Sequence, residues 1–213
     1  MNCDRAWLPL YAVTDRTWLN GRALYEAVEA ALRGGATCVQ LREKELDFTA
    51  FLHEAMELKK LCSHYAVPLI INDSVEIMLE SGADGVHIGQ DDGDVREIRR
   101  RIGPDKLLGV SAHSAEEAVK AERDGADYLG AGAVFVTGTK PDAGSLGHAA
   151  LRAICASVSI PVVAIGGISQ NNLAQLAGSG IDGVAVVSAI FAAEDVETAA
   201  QKLRAAIRHT LGV

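Results

Sequence analysis

The 213-residue chain is short of several things that would otherwise set its class. Its four cysteines, at 3, 38, 62 and 155, form no CxxC pair and no zinc spacing, so they read as reduced thiols of a cytoplasmic protein rather than a disulfide or metal framework. No run of eighteen apolar residues exists, which excludes a membrane-spanning helix. The opening MNCDRAWLPLYAV has no basic region followed by an apolar stretch, and no secretory signal is expected from it. Positive charge is also scarce. Twenty Lys and Arg against 28 Asp and Glu give a formal net charge of −8, which argues against nucleic-acid binding because a phosphodiester partner needs a positive face. No proline- or serine-rich linker divides the chain, and the first strand lacks the GxGxxG turn of a dinucleotide fold.

What is present is an ordinary globular composition, 49% hydrophobic and 23% charged, in a repeating order. Short apolar runs at 8–15, 38–43, 68–73, 85–89, 107–112, 128–133, 161–167 and 183–189 predict eight strands. They are nearly continuous rather than alternating, as expected of parallel strands covered on both faces. Between them lie helix-periodic segments. Phe48, Phe51, Leu52, Ala55, Leu58, Cys62 and Tyr65 follow three-and-four spacing behind a capping Asp47, and Val196, Ala199, Ala200, Leu203, Ala206 and Ile207 do the same near the end. Shorter helices are expected around 74–82 and 170–178.

A weak repeat opens at Gly35, Gly82, Gly125 and Gly180, each followed by Ala or Ile, then Thr or Asp. Glycine there suits the left-handed conformation that closes a helix before a strand. Eight βα units at about 27 residues each predict an α/β single-domain (β/α)8 TIM barrel over residues 1–213, with a doubly wound sheet as the alternative. The irregular stretch 134–147 is too long for a simple connection and is read as a binding loop that closes over the site.

In such a barrel the chemistry gathers where strands end. Cations Arg42, Lys44 and Lys140 follow different strands in an acidic protein, and would repel one another without an anion between them. Asp73 and Asp92 end neighbouring strands and suit a hard cation, since Mg2+ is held by one or two carboxylates plus substrate phosphates and water. A diphosphate–Mg2+ unit is therefore expected. Gly166 and Gly167 after the seventh strand, Val187 and Ser188 after the eighth, and Thr137 and Thr139 after the sixth form a second anion site, so two phosphorylated substrates are expected. Plainer roles compete at each position. Arg42 and Lys44 could pair with Glu43 or Glu45, Asp73 and Asp92 could cap helices, and His87 could be a satisfied core histidine.

Taken together, QLREK at 40–44, INDS at 71–74, HIGQDD at 87–92, GVSAH at 109–113, TGTKPDAG at 137–144, IGGI at 165–168 and VVSAI at 186–190 resemble the thiamine phosphate synthase family over essentially the whole chain. Two departures fall in one loop: Val136 where relatives often carry proline, and Pro141-Asp142 after Lys140. The resemblance implies a transferase of thiamine biosynthesis that joins hydroxymethylpyrimidine diphosphate to a thiazole phosphate and releases diphosphate. It assigns Gln40, Leu41, Arg42, Glu43, Lys44, Asn72, Ser111 and Lys140 to the pyrimidine diphosphate, with Arg42, Lys44 and Lys140 catalytic. Asp73 and Asp92 would bind Mg2+, and Thr137, Gly138, Thr139, Gly167, Val187 and Ser188 the thiazole phosphate. Rival readings are a thiazole phosphate tautomerase on the same barrel and a non-catalytic sensor. Neither needs the full set of cations and aspartates. Homo-oligomerisation is left open, because no helix shows an apolar face separable from the core.

Overall fold

The architecture follows from alternation hidden inside the apolar runs. A computed structural model of the chain describes residues 3–136 and 146–213. Eight strands form there: β1 Leu10–Val13, β2 Cys38–Leu41, β3 Leu69–Asn72, β4 Gly85–Ile88, β5 Leu107–Ala112, β6 Tyr128–Gly132, β7 Val162–Ile165 and β8 Gly183–Val186. Each lies inside its predicted run. All pair in parallel in chain order, and β8 returns to β1 through Leu10–Val184 and Ala12–Val186, closing a (β/α)8 TIM barrel.

Every second strand residue points outward. Leu10, Ala12, Val39, Leu41, Ile71, Val86 and their counterparts are buried under the helices in one large core. The intervening residues point inward, where Tyr11, Cys38, Ile70, Leu107, Tyr128 and Val163 fill the barrel as a second core. Both faces are apolar at the level of this inner plug, which is why the strands read as continuous runs.

The helices are α1 Leu24–Arg33, α2 Phe48–His64, α3 Val75–Ser81, α4 Val95–Ile102, α5 Ala115–Asp124, α6 Gly147–Ser157, α7 Ser188–Phe191 and α8 Val196–Leu211. Asp47 caps α2 as predicted, accepting from the Ala50 N–H at 2.9 Å. The helix expected over 170–178 is instead a single 3-10 turn, Leu173–Leu176. Its two buried leucines are three apart, a spacing that the tighter turn eclipses on one side, and the Asn172 side chain ties its entry to Ser169 N–H and Gly167 C=O. Of the 134–147 stretch, 137–145 lies outside the described residues, and Gly147 already belongs to α6. No helix of the described residues is long and apolar enough to cross a membrane.

The glycine repeat has a structural counterpart at the amino end of the barrel. Gly35, Gly82, Gly125 and Gly180 all have positive φ, from +71° to +110°. Two residues on, Thr37, Asp84, Asp127 and Asp182 each grip the start of a neighbouring strand twice. Their backbone N–H groups donate to the carbonyls of Leu10, Leu69, Leu108 and Val162 at 2.8–2.9 Å. Their side-chain oxygens accept from the amides of the same four residues at 2.8–3.0 Å. Each aspartate also meets a cation: Lys59 with Asp84, Arg99 with Asp127 and Arg5 with Asp182. These clamps set the odd-numbered strands β1, β3, β5 and β7 against their neighbours.

Candidate active site

At the carboxyl end of the barrel the inward-facing positions turn polar and a cavity of about 450 Å³ opens. Inner residues Gln40 on β2, Asn72 on β3, His87 on β4 and Ser111 on β5 line it, with Ile165 and Ala185 from β7 and β8. Beyond the strand ends, Arg42, Lys44, Asp73 and Asp92 stand on one side, and Gly166, Gly167, Val187 and Ser188 on the other. The sequence-predicted residues thus converge from six strands on one mouth.

On the acidic side, Arg42 donates to Asp15 Oδ2 at 2.7 Å, rather than to Glu43 or Glu45. Its backbone N–H donates to Thr14 Oγ1 at 3.0 Å, so the end of β1 sets the direction of the arginine. Lys44 Nζ lies 2.5 Å from Asp73 Oδ2. The capping role open to Asp73 falls to Ser74, whose Oγ accepts from Ile77 N–H at the start of α3. Asp73 itself has a positive φ of 64°, which aims its carboxylate away from that helix and into the cavity. Likewise Asp94, not Asp92, caps α4, while Asp92 Oδ2 accepts from Gly89 N–H at 2.7 Å.

Burial raises the Asp73 pKa above the ordinary carboxylate value, the Lys44 ammonium opposes the shift, and the neighbouring Asp92 carboxylate adds to it. A carboxylate whose ionisation is opposed by a neighbouring carboxylate is a natural seat for a divalent cation, which removes that cost. Mg2+ needs no more from protein when substrate phosphates and water supply its remaining oxygens. Among the described residues there is no group of three or more His, Cys, Asp and Glu that could hold a metal.

The opposite side is built from backbone. Gly166 and Gly167 have φ of +102° and +64°, and a Cβ on Gly167 would fall 2.4 Å from the Val136 carbonyl. Side chains are thereby kept out of the turn after β7. Ser188 opens α7 directly after β8. Thr137, Gly138, Thr139 and Lys140 lie outside the described residues.

Two residues taken with the motif do not face the cavity. Leu41 is fully buried on the outer side of β2, beneath the helices. Glu43 is turned back the same way, paired with Arg16 and accepting from the amides of Lys44 at 2.8 Å and Glu45 at 2.9 Å. Burial alone would raise its pKa, but the Glu45 amide, Arg16 and the Lys44 amide outweigh it and hold the group below its ordinary value. The physical reason is strand parity: if Gln40 faces in, Leu41 faces out. Glu43 shapes the Arg42–Lys44 turn from beneath.

Sequence reasoning passed over three residues at the mouth. Asp15 orients Arg42, and Tyr11 and Tyr128 line the cavity floor. His87 is a satisfied histidine, with Nδ1 3.1 Å from the Tyr128 hydroxyl and Nε2 3.1 Å from Ser111 Oγ, and it also borders the cavity. Parity on β1 and β6 carried a signal for the tyrosines; no local signal marked Asp15.

With this geometry in place, the chain was compared with known proteins. A family model described as thiamine monophosphate synthase matches residues 10–190. The chain belongs to the thiamine monophosphate synthase family. It is accordingly an enzyme, a transferase of thiamine biosynthesis. It is 54% identical to a thiamine-phosphate synthase of Chloroflexus aurantiacus over 202 residues, covering 94% of this chain and 93% of that one. It is 50% identical to one of Clostridium tetani over 194 residues, 91% of this chain and 93% of that one. Among solved structures, the thiamine phosphate pyrophosphorylase of Pyrococcus furiosus superposes with a TM-score of 0.90 at 41% identity, covering 98% of this chain and 99% of that one. The family thus reaches across both halves of the cavity.

Proposed function

We propose that the protein condenses 4-amino-2-methyl-5-hydroxymethylpyrimidine diphosphate with 4-methyl-5-hydroxyethylthiazole phosphate, giving thiamine phosphate and diphosphate with Mg2+ as cofactor. The observation that carries this reading is the pairing of Asp73 with Asp92 and Lys44 on one side of a cavity whose other side is bare backbone at Gly166 and Gly167 with Ser188 beside it. One side suits a metal diphosphate and the other a phosphate.

The reaction is a substitution at the pyrimidine methylene carbon. The bond to the diphosphate oxygen breaks, and the thiazole nitrogen supplies the electron pair for the new C–N bond. The electron-rich aminopyrimidine can carry positive charge on that carbon, so departure is limited by charge gathering on diphosphate. Mg2+ at Asp73 and Asp92 would supply neutralisation of that charge. Arg42, held by Asp15, and Lys44 meet the same charge from the β2 side, and Lys140 is assigned there by the family motif. Asn72 donates to Asp73 Oδ1 at 2.6 Å and so orients the carboxylate. The thiazole nitrogen is already a nucleophile and needs no base. Gly167, Val187 and Ser188, with Thr137, Gly138 and Thr139 assigned by the motif, hold the thiazole phosphate so that its ring meets the carbon in line, and positioning of this kind contributes several kcal/mol. Charged, phosphorylated substrates and four free cysteines make the cytoplasm the fitting compartment.

The test is thiamine phosphate formation from the two precursors, with Mg2+ and with EDTA. Product that vanishes on chelation and returns with added Mg2+ supports the reading. Tight thiazole phosphate binding without product under any condition overturns it.

A further inference from the structure

Five side chains inside the barrel form one unbroken hydrogen-bonded chain. Gln40 Nε2 donates to the Tyr11 hydroxyl at 2.9 Å, the Tyr11 and Tyr128 hydroxyls are 2.8 Å apart, and Tyr128 then meets His87 Nδ1, whose Nε2 meets Ser111 Oγ. Its two ends line the cavity, and its middle lies on the cavity floor. A hydroxyl has one proton, so the direction of the first bond fixes the rest. Tyr11 accepts from Gln40 and donates to Tyr128; Tyr128 donates to His87 Nδ1; His87, with its proton on Nε2, donates to Ser111. Burial pushes both phenol pKa values well up, so both hydroxyls keep their protons. The Cys38 thiol also touches the Tyr11 hydroxyl, but sulfur is too weak a partner to displace a phenol oxygen. The rings of the chain also fill the space beside Gly109. A Cβ at Gly109 would lie 2.2 Å from Tyr128 Cζ and 2.4 Å from His87 Nδ1, so the two rings occupy the space that glycine leaves.

The two ends of the chain therefore differ. Gln40 spends one N–H on Tyr11, which turns its –NH2 toward the barrel interior, and its Oε1 accepts from no donor among the described residues. Ser111 receives a proton from His87 and keeps its own to donate. We infer that Tyr11 and Tyr128 are positioning residues which, through this directed chain, hold the Gln40 carboxamide with its oxygen toward the cavity and so select a ring bearing an amino group over one bearing an oxo group. This rests on the reading of the cavity as the aminopyrimidine site. The ring's exocyclic amine donates to Gln40 Oε1, whereas an oxo group there would face a second acceptor. Such a mismatch between buried polar groups discriminates strongly.

The experiment compares two competitive inhibitors that lack the diphosphate leaving group: the 4-amino-2-methylpyrimidin-5-ylmethyl monophosphate and its 4-oxo counterpart. Wild-type protein prefers the amino compound. In Tyr128→Phe the Tyr11 hydroxyl has no phenol to receive its proton and turns it on Gln40, so the carboxamide rotates and the preference falls at least about tenfold. Inhibition by inorganic diphosphate stays unchanged in the same variant. Adding Gln40→Glu to Tyr128→Phe restores the preference, because a carboxylate accepts from Tyr11 with one oxygen and faces the cavity with the other. Tyr11→Phe, which frees the Gln40 –NH2, lowers the same ratio and serves if Tyr128→Phe does not fold. An inhibitor ratio that is unchanged in the folded variants, or a wild type that prefers the oxo compound, overturns the directed chain while leaving the pyrimidine site standing. A wild type that binds neither monophosphate overturns both.

Discussion

At the amino end of the barrel, Asp84, Asp127 and Asp182 each accept from a strand amide and face a cation; at the carboxyl end, Asp73 meets Lys44 but also faces a second carboxylate, Asp92. The same residue type is thus used in two opposite ways about one barrel's length apart. A carboxylate that accepts from a strand amide and meets a cation works for the fold, and its loss is felt in stability. A carboxylate whose ionisation is opposed by burial and a like-charged neighbour works against the fold, and it is retained for what it binds.

Four substitutions sharpen this contrast. The largest effect belongs to Asp92→Ala, which lowers thiamine phosphate formation by roughly 10²–10³-fold, as removal of a group that stabilises transition-state charge does. Its thermal midpoint stays near that of the wild type, because the bond it accepts from the Gly89 N–H is at the surface and its other neighbour, Asp73, is a like charge. A large fall in midpoint would mean that the mouth carboxylates are structural after all. Asp127→Ala should do the reverse. Breaking its largely buried pair with Arg99 and freeing the Leu108 amide costs about 3 kcal/mol in denaturant unfolding, with KM for both substrates unmoved.

Asp73→Asn has the opposite sign. Its folded pKa is raised, so folding favours the protonated carboxyl, and above that pKa the ionised group costs stability. Removing the charge therefore raises the midpoint at neutral pH while abolishing activity, and asparagine is also more at ease at φ 64°. The gain shrinks as the pH falls through the raised pKa, where Asp73 is itself protonated; a gain that grows toward acid would reverse the assignment. Smallest is Asp47→Ala, which removes the cap of α2 and costs about 1 kcal/mol in urea unfolding, with activity retained.

The barrel was legible in the sequence to a degree that the mouth was not. Eight apolar runs and four repeated glycines are local signals: each strand fell where it was expected and each glycine has a positive φ, but Gly180 follows a 3-10 turn that ends at Leu176 and closes no helix. The short turn at Leu173–Leu176 misled because three-residue spacing is shared by two kinds of helix. At the site, QLREK contained its own answer in its parity, with Gln40, Arg42 and Lys44 toward the cavity and Leu41 and Glu43 away from it, yet a motif taken whole conceals this. The partner of Arg42 could not be read locally, since Glu43 and Glu45 are nearer in sequence than Asp15 and only the closing of β1 against β2 brings Asp15 within reach. The tyrosines were missed for a related reason: a lone Tyr in an apolar run looks like filling until its hydroxyl is seen to have company.

A cylinder made from one thread has a single seam, and here it lies between β8 and β1. As the thread is spun out from its first residue, every other joint can be made with the next stave in line. This one must wait for residues 184–186, and until then Leu10–Val13 presents one raw edge and β7 another. Arg5, just ahead of β1, reaches Asp182 across that gap. A chain cut short of β8 would keep most of its staves and still fail as a vessel, with two open borders ready to knit to a stranger.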